Sequence, residues 1–191
     1  MKPELKNPES KHMTDDEFFS FCAQNKELQI ERDADYRIIV MEPAGVYGAS
    51  YETKLLTQVS KWHESLNKGL VVSPSGGYYL SNGAMRAADA SWISDERIKN
   101  FSKAERNKFI HACPEFVIEL MSPSDRLINA KKKMEEWISN GCLLGFLIYR
   151  DEQKVFIYKP NREVIEKPFT EKISGEDVLP GFELDLSFMI E

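Results

Sequence analysis

No apolar run in this sequence approaches the roughly 18 to 20 residues that a membrane span needs, and the short motifs of the commonest cofactor and nucleophile sites are missing. There is no GxSxG elbow, no GxxxxGKS or GxxxxGKT loop and no GxGxxG turn after a strand, so an acyl-transfer enzyme, a nucleotide-driven motor and a dinucleotide-dependent dehydrogenase are unsupported. Cysteine is scarce: Cys22, Cys113 and Cys142 are far apart and lack CxxC spacing, which reads as reduced, partly buried thiols and not as a zinc or disulfide framework. His12, His63 and His111 are equally scattered, with no metal-ligand spacing around them. Positive charge is also short. The 25 Lys and Arg against 31 Asp and Glu give a net charge of −6, which argues against broad nucleic-acid binding driven by charge alone and leaves a local basic patch open. The opening MKPELKNPESK lacks the apolar core of a signal peptide, so a cytoplasmic protein is expected.

What is present fits one globular unit. A chain of 191 residues with 42% hydrophobic and 29% charged residues can bury one sizeable core, expected over residues 14–191 behind a flexible segment 1–13. Thr14 with Glu17 three positions later is a capping-box pattern and opens a short helix carrying Phe18, Phe21 and Cys22. LQIER and YRIIVM, split by DAD, predict a β-hairpin. Leu55, Val59, Trp62 and Leu66 in SYETKLLTQVSKWHESLNKG predict a helix capped by Gly69. GLVVS and GYYLS read as strands, and Asn82-Gly83 joins GYYLS to AMRAADASWI as a hairpin turn. Between Asp95 and Cys113, Arg97, Lys99, Lys103, Arg106 and Lys108 outnumber the acids, as a solvated helix face or a basic patch. FVIELM predicts a buried strand, followed by a helix from about Asp125 to Asn140 stopped by Gly141, then the strands LLGFLIY and KVFIYKP around RDEQ. GEDVLPGFELDLSFMI reads as a closing strand. The order predicts an α/β fold, a mixed central sheet flanked by helices, with the helix after FVIELM crossing over to a neighbouring strand.

Two acids sit in apolar, strand-like surroundings. Period-two alternation puts Asp89 on the face of Met85, Ala87, Ser91 and Ile93, and Glu119 on the face of Val117 and Met121. An ionised carboxylate is costly to bury without a partner, so each calls for a cation: an Arg or Lys at the core rim, or a shared divalent ion. Hard oxygen ligands of this kind suit Mg²⁺ or Mn²⁺. At about 100° per residue the helix after Ser124 centres its apolar face among Leu127, Ala130, Met134, Trp137 and Ile138, which turns Lys132 to solvent. Lys131 and Lys133 flank that face, either can reach Glu119, and periodicity does not choose between them. Two carboxylates, a metal and a lysine suit phosphodiester hydrolysis, with the lysine orienting the attacking water, or deprotonating it if its own pKa is depressed.

The blocks IERDADYRIIVMEPAG, YYLSNGAMRAADASWIS, PEFVIELMSPSDRLINAKKKMEEWISNG, LGFLIYRDEQKVFIYKP and SGEDVLPGFELDL together resemble the Uma-two family of restriction endonucleases, in the PD-(D/E)XK nuclease superfamily, over about residues 14–188. The resemblance implies a restriction-endonuclease-like core and a metal-dependent DNA endonuclease. It implies that Asp89 and Glu119 hold Mg²⁺ or Mn²⁺, helped by the backbone carbonyl of Leu120. The usual lysine position two residues after the acid is Met121 here, and the family's migrated arrangement selects Lys133 of the Lys133-Met134 pair. Glu31 matches a further acidic position, either a second-shell or second-metal group or an ordinary hairpin-edge carboxylate. Ala88 stands where the family usually has Pro, which removes stiffness but no ligand atom. DNA is the implied substrate and a homodimer a possible assembly. The rival expectation is a noncatalytic nucleic-acid-binding or assembly domain that keeps the nuclease fold, because fold does not imply function.

Overall fold

The computed structural model describes residues 12–190, so most of the expected flexible segment 1–13 lies outside the described residues. Helix α1, Asp15–Gln24, begins at the predicted capping box: the Thr14 side chain accepts from the Glu17 amide while the Glu17 carboxylate accepts from Thr14. Strands β1, Ile30–Arg32, and β2, Ile38–Val40, form the predicted hairpin. Helix α2, Val46–Leu66, starts earlier than its apolar spacing shows, after Gly45. It ends at Asn67 in the left-handed conformation, φ 48°, and not at Gly69. Gly69 serves the next step: with φ 79°, its missing Cβ would lie 2.4 Å from the Ile93 carbonyl oxygen, so the chain passes close beside that backbone.

Strands β3, Leu70–Val72, β4, Tyr78–Tyr79, β5, Met85–Arg86, and β6, Ala90–Ile93, follow. The Asn82-Gly83 turn does join β4 to β5. AMRAADASWI, however, is not one strand. The chain leaves a four-stranded sheet, ordered β2-β1-β5-β4, after Arg86 and enters a six-stranded sheet at Ala90. Met85 therefore packs with α1 beside Phe18 and Phe21, while Ser91 and Ile93 face another core. Alternation cannot carry a face across residues that pair with neither ladder, so Met85 does not share one face with Ser91 and Ile93 as expected, and Asp89 is placed by its position one residue before β6.

The stretch from Asp95 to Cys113 holds only a short helix, α3, Asp95–Ile98, and a 3₁₀ turn at Glu105–Asn107. Its cations are largely committed: Arg97 pairs with Glu115, Lys99 with Glu96 and Lys108 with Asp16. Strand β7, Phe116–Leu120, helix α4, Leu127–Ser139, and strand β8, Leu144–Tyr149, make the predicted crossover, with β7 and β8 parallel. Strand β9, Lys154–Tyr158, returns antiparallel through the RDEQ turn. An edge strand, β10, Ile165–Pro168, was not foreseen: its short polar IEKP has no clear alternation. The tail adds β11, Ile173–Ser174, and β12, Glu183–Leu184, as a separate two-stranded ribbon.

The six-stranded sheet runs β10-β9-β8-β7-β6-β3, with β7 near its centre. Alternation along β7 divides the core. Phe116 and Ile118 pack toward α2 with Tyr51, Leu55, Val59 and Phe146, whereas Val117 and Met121 pack toward α4 with Met134 and Trp137. Each of these fully enclosed side chains contributes roughly 1.5–3 kcal/mol. Glu119 lies on the α4 side. No helix among the described residues is long and apolar enough to cross a membrane.

Candidate active site

Strand register brings the two expected carboxylates together. Ala90 pairs with Ile118 across the antiparallel β6/β7 ladder, so one step outward sets Asp89 opposite Glu119. The Asp89 carboxylate turns back onto β7, where Oδ2 accepts from the Leu120 amide at 2.6 Å. Glu119 is 8% exposed and fully engaged: Oε1 accepts from the Trp137 indole at 2.8 Å and Oε2 from Lys133 Nζ at 3.1 Å. Both donors come from α4, four residues apart on its core face.

Helix geometry decides between the lysines. Lys131 lays its ammonium over the Phe156 ring, 4.2 Å from the centroid, and Lys132 is exposed. Lys133 Nζ reaches the carboxylates, donating to Glu119, to Glu31 Oε1 at 2.9 Å and to the Ala87 carbonyl at 3.3 Å. Glu31 is therefore no hairpin-edge group. Only 3% exposed, it also accepts from the Ala87 amide at 3.0 Å and from Arg86 at 3.0 Å. Arg86 in turn donates through Nε to Glu136 at 2.6 Å.

Arg86, Glu136 and Trp137 escaped the sequence reading. Trp137 read as core, which it also is, and its indole N–H gave no signal. Arg86 and Glu136 look like ordinary surface charges, and only the meeting of the β4/β5 hairpin with α4 pairs them. Asn82 and Asn140 secure that meeting, since Asn82 donates to Glu136 at 2.8 Å and Asn140 accepts from the Asn82 amide at 3.1 Å.

The charges set one another's protonation. Burial and the facing Glu119 push the Asp89 carboxyl up to about 8, against the opposing pull of Lys133. Glu119 is also raised, by burial first, with Glu31 adding to it and Lys133 opposing. Burial acts upward on Glu31 too, but Lys133 and Arg86 outweigh it and hold the carboxyl below its ordinary value. For Lys133, burial favours the neutral amine, yet Glu119, Glu31 and Asp89 prevail and its pKa is raised. The ammonium stays charged in the metal-free protein, which favours the orienting role over the alternative of a lysine base with a depressed pKa.

Among the described residues no three His, Cys, Asp or Glu side chains form a ready-made metal cluster. The oxygen set is nonetheless suited to a hard divalent ion. Asp89, Glu31, Glu119 and Glu136, when ionised, face only Arg86 and Lys133, two positive charges short of balance. Asp89, Lys133 and Glu31 line a cleft of about 700 Å³ that opens between α1, β1 and the segment around Pro74 to Gly77.

Comparison with known proteins places this arrangement in context. The model of the Uma2 family, described as "Putative restriction endonuclease", matches residues 15–187. The chain is similar to the crystal structure of a "putative nuclease belonging to DUF820" from Anabaena variabilis ATCC 29413, with a TM-score of 0.71 and 17% identity over 84% of this chain and 91% of that one. At that identity the likeness establishes the shared fold. No curated protein matches the chain.

Proposed function

Because the chain belongs to the Uma2 restriction endonuclease family, we propose that it is a Mg²⁺- or Mn²⁺-dependent nuclease hydrolysing phosphodiester bonds in DNA, with Asp89, Glu119 and Lys133 as its catalytic residues. The observation that carries the reading is the delivery of Lys133 from α4 to Glu119 on β7, in a cleft whose floor also holds Asp89. This is a separated acid and lysine restored to one site by the fold. Asp89, Glu119 and the backbone carbonyl of Leu120 would hold the ion, with Glu31 fixing Lys133 from behind. When bound, the metal supplies charge stabilisation for the phosphate and a lowered pKa for the attacking water.

The protein groups have separable tasks. Asp89, high in pKa without a metal, would release its proton to solvent when a cation binds and would then serve as a ligand. Glu119 is kept in place by the Trp137 indole and Lys133, which would hold it ready to take up a cation beside Asp89. Lys133, charged and held by Glu31, Glu119 and the Ala87 carbonyl, would stabilise the developing charge on the phosphate oxygens through its field, and would orient the water once one of those three hydrogen bonds is released. Proton removal from that water does not fall to Lys133. A homodimer bringing two such sites together is needed only for cutting both strands of a duplex at one place.

Incubation with plasmid and short oligonucleotides in Mg²⁺ or Mn²⁺ tests the proposal. The native protein should cleave, chelator should stop it, and Asp89→Ala, Glu119→Ala and Lys133→Ala should each lower the rate about 100-fold or more. Unchanged cleavage in these variants overturns the site. No cleavage and no calorimetric metal binding by the native protein would favour a noncatalytic nucleic-acid-binding or assembly domain.

A further inference from the structure

The cleft above Asp89 and Lys133 has a lining that does not match a double helix. Its charged residues are Glu27, Glu31, Glu42 and Asp89 against Lys26 and Lys133. Duplex DNA presents about one phosphate charge per 1.7 Å of axis, and proteins that track it answer with rows of Lys and Arg. This wall is mainly acidic and apolar. Moreover, Glu119 is only 8% exposed, so it lies beneath the surface, behind the half-buried Asp89 and Lys133 that line the cleft. A phosphate held on a regular helix is supported on both sides by its neighbours and cannot descend alone.

Two half-buried rings line the same cleft, Phe19 on α1 and Phe109 in the segment before β7. They meet edge to face with centroids 5.2 Å apart. Both also line a second cavity of about 310 Å³ on their far side, whose charged residues are Asp15, Asp16 and Glu105 with Lys108 and His111. The pair is thus a shared wall between the acidic cleft and a neighbouring hollow of mixed charge, in which Lys108 is paired with Asp16. Gly77 lets the Phe109 ring and the Met85 sulfur pack against the backbone: a Cβ there would come within 2.8 Å and 2.7 Å of them.

Resting on the nuclease reading of the same site, we propose that this cleft selects unpaired nucleic-acid strand, with Phe19 and Phe109 as the platform on which a base stacks while its phosphate reaches Asp89, Glu119 and Lys133. An unpaired nucleotide can turn its backbone inward and its base onto a ring, which a stacked and paired one does only after extrusion. Stacking also binds any base without demanding a dense array of cations. The substrate class is therefore a single strand, or the unpaired flap or gap of a longer DNA.

Fluorescence anisotropy with a labelled single-stranded oligonucleotide and its blunt duplex, in chelator so that nothing is cut, reads the preference apart from cleavage. The native protein should hold the single strand at least tenfold more tightly. Phe109→Ala and, separately, Phe19→Ala should each weaken single-strand binding on the order of tenfold, one lost base stack, and leave duplex binding unchanged. Circular dichroism confirms that each variant is folded. If one fails to fold, the other carries the test, and Phe109→Tyr, which keeps a stacking face, should retain native preference. Equal or tighter binding of the duplex overturns the inference, as does binding of neither. Metal-dependent cutting of continuous duplex at the single-strand rate overturns it while leaving the nuclease reading intact, whereas the absence of any cutting or metal binding counts against that reading.

Discussion

Lys133 donates to Glu119 across 3.1 Å, joining a helix to the central strand that precedes it. The pair is 17% and 11% exposed, so each charge depends on the other in a largely dry setting. Removing the ammonium leaves Glu119 and Glu31 facing each other with one partner fewer. Lys133→Ala should destabilise the metal-free protein by about 3–5 kcal/mol in urea unfolding. Millimolar Mn²⁺ should recover part of that loss, because a divalent ion answers the same carboxylates. An equal loss with and without Mn²⁺ would separate this cluster from metal binding.

Asp89 predicts a pH dependence. With its folded value pushed up to about 8 from an ordinary 3.8, the folded metal-free protein holds this proton more tightly than the unfolded chain does. The resulting stabilisation is fully present below about 3.8 and is lost as pH rises toward and through about 8. Asp89→Asn imitates the protonated form. Relative to native protein, it should become more stable between pH 5 and pH 8.5 in chelator, as read by denaturant midpoints. Parallel curves at the two pH values would contradict the raised value.

Arg32 ties the cleft wall together. It is 2% exposed, bonds the Gly83 and Met13 carbonyls and Asp15, and stacks its guanidinium 4.6 Å from the Tyr36 ring centroid. A lysine carries the charge but not the planar fork, so Arg32→Lys should cost about 2–3 kcal/mol in thermal or urea unfolding. A neutral result would mean that α1 is held on its sheet without the planar fork, by apolar packing and by the contacts of Tyr79 and Lys108 with Asp15 and Asp16.

Gly77→Ala should act on shape. Its new methyl meets Met85 and Phe109 side chains that must move aside, at a cost of about 1–3 kcal/mol. Single-strand affinity should fall with it, since one of the displaced groups is a platform ring. Native affinity in a folded Gly77→Ala protein would show that the opening tolerates the methyl.

Much of the fold was legible because local chemistry repeats along the chain. The capping box at Thr14 and Glu17, the Asn82-Gly83 turn and the apolar run FVIELM each act within a few residues, and each formed as read. Legibility failed where an element's identity depends on its neighbours. AMRAADASWI alternates well enough for one strand, yet Glu31 captures the Ala87 amide and the chain changes sheets there. The start of α2 at Val46 was hidden because its exposed first turn carries no core-facing pattern.

The sequence by itself determined that a carboxylate would lie in a buried strand, that Asp89 would sit in a second apolar segment, and that a helix would follow with lysines on its flanks. Spacing fixes those features because side-chain direction repeats along strands and helices. Only the tertiary structure decided that Lys131 would cover Phe156 while Lys133 reached Glu119 and Glu31. It also decided that Arg86 and Glu136, distant in sequence, would close the ring of charge. Those choices rest on how α4 docks between two sheets, and charge pairing over such separations has no local signature in the chain.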